Sequence, residues 1–203
     1  MEIYVASLNP GKLKEFANYF EKDRNYNFSF KSLQELPTDT LEQYNPVENA
    51  DSFLKNALIK AKTAYDLIKK PIISEDSGLE VEALNGRPGI HSSRYADTDQ
   101  KRVERLLAEM EPFTKENRRA RFVSTFCFID SLGNSVFFHG KVEGYIALKQ
   151  SGKHGFGYDP IFYHEPSGTT FAELSIQEKQ NVSHRGMALK SLFSYLKKLN
   201  KEK

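Results

Sequence analysis

Glu75 and Asp76 stand side by side at the end of an apolar run, just before Ser77-Gly78. Two adjacent acids at a strand end, followed by a glycine turn, suit a hard cation such as Mg²⁺. The plainer alternative is a turn whose acids are simply solvated. Gly86, Pro88 and Gly89 then shape a long rigid loop ending in Ser92, Ser93 and Arg94. A second stretch, GKHGFGYDPIF (152–162), sets glycines on both sides of Phe156, followed by Tyr158 and Asp159. Such a bent backbone presents rings that stack on a flat base, with Asp159 or a backbone N–H to read the base edge. A bulged strand with core aromatics would look the same. A third, EKQNVSHRG (178–186), puts His184 and Arg185 in the first turn of a helix, with Lys179 just upstream. Positive side chains oppose the helix dipole there. A bound anion would resolve the mismatch, since arginine offers a bidentate fork.

The chain also opens on a Gly-Lys pair, in VASLNPGKLKEF (5–16). A P-loop needs two glycines five apart and a Ser or Thr after the lysine. Leu13 follows Lys12, and no glycine lies five before Gly11, so that reading fails. The turn still suits an anion. Asn9 is a good N-cap, Pro10 fits the first helical position, and Leu13, Phe16, Ala17 and Phe20 make a helical stripe. Unpaired N–H groups at the helix start, with Lys12 beside them, attract negative charge. Lysines and an arginine for polyphosphate, paired acids for magnesium and ring-bearing turns for a base add up to a nucleoside-triphosphate site.

The elements that must position these groups follow from pattern. Ile3–Ala6 reads as a buried strand, 27–33 as another, and 36–50 as a polar loop. A long helix is expected from about Asp51, with Phe53, Leu54, Ala57, Leu58, Ala61, Tyr65 and Ile68 on one arc. Lys60 falls at the edge of that arc and Lys55 well outside it. Residues 71–84 read as strand, sharp turn, strand, and 100–110 as an amphipathic helix. Residues 121–130 and 135–148 read as two covered strands joined through DSLGN. The last helix runs over 183–199, capped by Ser183. The pattern is α/β with a mixed sheet, lacking the regular alternation of a doubly wound fold.

Composition narrows the function classes. With 39% apolar residues, 15 Phe and 10 Tyr, the chain can bury a large core. A formal net charge of +2 is too small for a protein that coats nucleic acid. A single cysteine excludes a disulfide framework and a cysteine-based zinc site, and Cys127 lies in a strand-like run where packing is its expected role. No leader and no membrane span is read in the sequence; a cytoplasmic protein is expected.

Five motifs, in order along almost the whole chain, resemble the inosine triphosphate pyrophosphatase family, which hydrolyses deaminated purine nucleoside triphosphates. They are SLNPGK, FLKNALIKA, EDSGLEVEALNGRPGIHSSRYA, GFGYDPIF and SHRGMAL. The resemblance implies one domain over 1–203: an elongated two-lobed α/β fold with a long twisted mixed β-sheet flanked by helices and an active-site cleft between the lobes. It also implies a homodimer that converts ITP, dITP and XTP to the monophosphate and pyrophosphate with Mg²⁺. By position, Ser7, Leu8, Asn9, Pro10, Gly11 and Lys12 would cradle the phosphates with Lys60. Asp76 would bind the metal and accept a proton from water, and Ser77 would contact substrate. Phe156, Gly157, Tyr158, Asp159, Lys179, His184 and Arg185 would hold the base and its neighbours.

Two positions depart from the family pattern. Lys55 stands where a Glu is usual, and Glu75 replaces the first Asp of a D-D-S-G run. The expected metal ligands are therefore Asp76, then Glu48, which aligns with an acid before the family's helix, with Glu75 in reserve. The alternative reading is a nucleotide- or RNA-binding module without catalysis, against which the near-neutral charge and paired acids argue.

Overall fold

The computed structural model describes residues 1–21 and 28–199. Its elements run β1 (Glu2–Ala6), α1 (Pro10–Glu21), β2 (Ser29–Ser32), α2 (Thr38–Glu42), α3 (Phe53–Ile68), β3 (Ile72–Val81), α4 (Asp99–Met110), β4 (Arg119–Ile129), β5 (Ser135–Ile146), β6 (Phe162–His164), β7 (Thr169–Thr170), α5 (Ile176–Val182) and α6 (His184–Leu199). One seven-stranded sheet has the order β2-β1-β3-β4-β5-β6-β7. β1 pairs in parallel with β2 and β3, while β6 pairs antiparallel with β5 and β7. The mixed α/β class is as expected. Asn27, with which the second expected strand opens, lies outside the described residues, and the short helix α2 falls inside the expected 36–50 loop.

The chain gathers into two compact units, the first from 1–76, 124–139 and 187–203, the second from 77–123 and 140–186. The first unit holds an aromatic core in which Phe16, Phe28 and Phe193 pack with Phe30 and Phe20. A second cluster there packs Ala57, Ala61 and Ala64 of α3 against Ile72, Cys127 and Ile129. Burial pushes the Cys127 thiol up to about 12, which keeps it protonated and inert. Ala17, counted on the inner stripe of α1 from the pattern, is exposed. In the second unit, Leu79, Val81, Leu106, Met110, Phe122, Phe162 and Phe171 form the core.

The expected turn at Ser77-Gly78 does not exist. β3 runs unbroken through both residues because the strand is buried before them, from Ile72 to Asp76, and after them at Leu79. The backbone polar groups there are satisfied without a turn: Leu79 N–H donates to Ser92 Oγ at 2.9 Å. Asp130, by contrast, builds the expected hairpin end by accepting from the N–H groups of Leu132 and Asn134.

In the second unit a capping box closes the turn after β7. Glu173 accepts from Thr170 N–H at 2.8 Å and from Thr170 Oγ at 3.1 Å. The Thr170 backbone bond, helped by Ser151, holds the Glu173 carboxyl at about 2, well below its ordinary 4.5. A carboxylate lowered by folding contributes stability that is full above about 4.5 and lost as pH falls toward about 2. Glu173→Gln keeps an acceptor but cannot titrate. Urea denaturation at a series of pH values should therefore show wild type losing its advantage over Glu173→Gln across that window; a constant difference would show that the carboxylate charge is not engaged.

Candidate active site

In the first unit the site begins where β1 ends. Asn9 caps α1, its Oδ1 accepting from Lys12 N–H at 3.0 Å while its carbonyl accepts from Leu13 N–H at 3.0 Å. Asn9 N–H in turn donates to Ser7 Oγ at 3.3 Å. The first turn of α1 holds no acid, so nothing of its own neutralises the helix start. Lys12 reaches Glu75 at 3.1 Å, and Ser124 Oγ donates to the other oxygen of Glu75 at 2.7 Å.

Helix α3 is capped by Ser52 and buries Phe53, Asn56, Ala57, Lys60, Ala61 and Ala64. The buried face is turned from the arc expected of the apolar residues, so Lys60 lies in its middle and not at its edge. Its ammonium explains the rotation: Lys60 Nζ donates to Glu48 and to Asp76 Oδ1, both at 2.7 Å. Asn56 Oδ1 accepts from Ala50 N–H at 3.1 Å and so pins the loop that carries Glu48. Ser74 Oγ donates to the Ala57 carbonyl at 2.6 Å and ties α3 to β3 beside Asp76.

Burial opposes the charge on Lys60, but Asp76 and Glu48 more than offset it and its pKa is raised. Asp76 is also raised: burial outweighs the pull of Lys60 and Lys12. Removing one member of a buried ion pair typically costs about 3–5 kcal/mol. An exposed pair contributes under about 1 kcal/mol, which is the class of Lys55, bound to Asp51 on the solvent side of α3. Lys55 is therefore outside the cluster. Asp76 Oδ2 is buried and has no hydrogen-bond partner among the described residues.

Glu75 and Asp76 do not form the expected neighbouring pair. Both sit inside β3, where consecutive side chains leave on opposite faces. Glu75 belongs to Lys12 and Ser124, and Asp76 to Lys60. Among the described residues no three His, Cys, Asp or Glu side chains gather as a ready-made metal cage.

The second unit holds the other expected residues. Gly155 and Gly157 both have positive φ, +75° and +62°, conformations open to glycine at little cost. A Cβ on Gly155 would lie 2.0 Å from an Asp159 oxygen. Asp159 is buried; it accepts from Phe156 N–H at 2.9 Å and pairs with the buried Lys179 at 2.5 Å. Asp159 thus braces the turn from within and does not present itself at the surface. Tyr158 is buried too, its hydroxyl donating to the Ser92 carbonyl at 2.9 Å. Phe156 is the ring of this turn that stays partly open. Lys179 Nζ lies 5.1 Å and Arg185 Cζ 5.4 Å from its centroid.

His184 and Arg185 begin α6, and both are buried. Ser183 Oγ accepts from Gly186 N–H at 3.1 Å, the expected cap. The His184 ring stacks on Phe122 at 4.6 Å, and Arg185 donates to Ser77 Oγ at 3.0 Å. Gly186 lets this helix start approach α5: a Cβ there would lie 1.7 Å from the Gln180 carbonyl oxygen.

The expected residues therefore assemble as two sets, Ser7–Lys12, Glu48, Lys60, Glu75 and Asp76 in one unit, and Ser77, Phe156–Asp159, Lys179, His184 and Arg185 in the other. Asp76 and Ser77 are consecutive in β3. The residues missed from sequence are ones that hold these: Asn56, Asp99 and Ser124; Ser92, expected only as the end of a rigid loop, accepts from Leu79 N–H and from the Tyr158 hydroxyl. Helix α5 was missed as well, although its capping box, Ser175 with Glu178, is visible as S-x-x-E.

The chain is similar to known proteins over almost its whole length. A relative from Geobacillus kaustophilus named dITP/XTP pyrophosphatase is 39% identical over 194 residues, covering 94% of this chain and 92% of the relative. One of the same name from Bacillus subtilis is 40% identical over 199 residues, covering 96% of each. The Ham1 protein of Staphylococcus aureus has a similar structure, with TM-score 0.83, 36% identity and coverage of 97% of this chain and 98% of that one. A HAM1 protein from Coxiella burnetii gives 0.86, 36%, 98% and 99%. The model of the Ham1 family matches residues 3–195 and takes in both sets of site residues, so this chain belongs to the Ham1 family.

Proposed function

We propose that the protein hydrolyses ITP, dITP and XTP to the nucleoside monophosphate and pyrophosphate, with Mg²⁺ as cofactor, as a cytoplasmic homodimer. The observation that carries the reaction is the buried Lys60 ammonium held between Glu48 and Asp76. It has the charge for a phosphate and stands beside carboxylates suited to a metal and to a proton. The names of the relatives and the order of the motifs support the substrate class. The homodimer and the cytoplasmic location rest on the family resemblance. Among the described residues no helix is long and apolar enough to cross a membrane.

The residues fit magnesium. Asp76 Oδ2 is a buried acceptor with no hydrogen-bond partner among the described residues, and the Glu48 side chain is one-third exposed. One or two carboxylates suffice, because phosphate oxygens and water complete the six ligands of Mg²⁺. When bound, magnesium would neutralise charge on the phosphate oxygens. The positive end of the α1 dipole, with the Lys12 ammonium, binds phosphate, and Lys60 adds charge as negative oxygens develop. Asp76 accepts the proton of the attacking water on a carboxylate lone pair that the metal and Lys60 leave open. Phe156 stacks on the base, while Arg185 and Ser77 orient its neighbours.

A panel of nucleoside triphosphates should release pyrophosphate from ITP or XTP and act far more weakly on ATP and GTP, since unpaired buried polar groups can reject a wrong base by several powers of ten. Equal rates with ATP, or orthophosphate as the sole product, would overturn this function.

Asp76→Asn keeps the shape and removes the proton acceptor, so turnover should fall roughly 10²-fold or more with the fold intact by circular dichroism. Near wild-type turnover would move the base elsewhere.

Magnesium titrations of activity separate the acids. Glu48→Gln should demand much more Mg²⁺, and Lys55→Glu should change little because Lys55 faces solvent. Glu75→Gln should act through its partner Lys12 and raise KM more than the magnesium requirement. A normal magnesium curve for Glu48→Gln would remove it from the metal site.

A further inference from the structure

Asp99 lies in the first turn of α4, yet the helix does not need it as a cap. Thr98 performs that role, its Oγ1 accepting from Lys101 N–H at 3.2 Å. The Asp99 carboxylate turns instead to a residue 58 positions on: its Oδ2 accepts from Gly157 N–H at 2.8 Å. Its Oδ1 accepts from Arg102, which is fixed in turn by a 2.9 Å bond to the Ala96 carbonyl. The two peptide N–H groups that bracket Phe156 are therefore both held by carboxylates. Asp159 takes the N–H of Phe156 from within, and Asp99 takes that of Gly157 from outside. The turn needs such holding. Its two glycines are the residues with most conformational freedom to lose, and the space where a Cβ of Gly157 would project holds no atom within 4 Å.

We propose that Asp99 is a positioning residue for base recognition, latching the Gly155–Gly157 turn so that the Phe156 ring is set before nucleotide arrives. This rests on the reading of that turn as the base site. Asp159 is buried with Lys179 and is part of the core of its unit. Asp99 is about half exposed and reaches the turn through one charge-assisted bond. Its loss should therefore release the ring without unfolding the unit.

The chain contains no tryptophan, so Phe156→Trp introduces a single fluorescent reporter at the turn. In that background, without nucleotide, Asp99→Ala should lower the steady-state anisotropy of the indole, and Asp99→Asn, which keeps an acceptor, should restore most of it. In the Phe156 enzyme, Asp99→Ala should raise KM for ITP by roughly ten-fold, the scale of one charged hydrogen bond, and narrow the preference for ITP over ATP, with kcat changed less than about two-fold. Asp99→Asn should again recover most of the loss. Unchanged anisotropy in Asp99→Ala, or a fall in kcat with KM intact, would overturn the latch. An enzyme that fails to cleave ITP at all would overturn the proposed reaction, and the anisotropy would still decide for or against the latch.

Discussion

A buried ammonium between two carboxylates is the constraint around which the first unit is arranged. Lys60 cannot remain charged in that position without partners, and Asp76 cannot remain ionised there without Lys60. The pair dictates which face of α3 turns inward, overriding the arc drawn by Leu54, Leu58 and Tyr65. It sets the height of β3 against α3, which Ser74 secures through the Ala57 carbonyl. It also requires the 45–50 segment to bring Glu48 within 2.7 Å, and Asn56 exists on the buried face to hold that segment.

The second unit solves a related problem with the opposite economy of exposure. Lys179 and Asp159 are almost wholly buried and satisfy each other. Their pairing leaves the Phe156 ring, with two cations near its face, as the ring of the turn that is partly open to solvent. Arg185 is likewise committed to Ser77, the residue next to Asp76. Charges that look in sequence like free ligands for an anion are thus already engaged, and they shape the surface that would meet a nucleotide.

How far this could be read in advance depended on whether a residue's role is local. The Asn9 cap, the Pro10 start, the Ser183 cap and the bend at the glycines 155 and 157 are decided within a few residues, and the sequence shows them plainly. The separation of Lys55 from Lys60 follows from helical spacing alone. The errors arose where distant partners decide. Ser77-Gly78 carries turn residues, but the buried strand on both sides keeps it extended. Tyr158 and Asp159 look presented to a ligand until Ser92 and Lys179, far along the chain, are seen to claim them. Asp99 carries no signal, and Asn56, although it lies within the FLKNALIKA motif, does not reveal its role, since their partners at Ala50 and Gly157 are backbone groups. Of the residues that hold the candidate site, Asn56 and Ser92 lie inside the family motifs, while Asp99 and Ser124 lie outside them.

The aromatic core of the first unit has a consequence for how the protein is made. Phe16, Phe28 and Phe30 converge on Phe193 of α6. The first 76 residues emerge early from a ribosome, but their core stays open until the last helix follows. The second unit, whose segments end at residue 186, has its complete complement of chain sooner. Domains that fold as they are synthesised generally do so from the N-terminus; here the N-terminal segment must keep a phenylalanine-rich face exposed while the rest is translated.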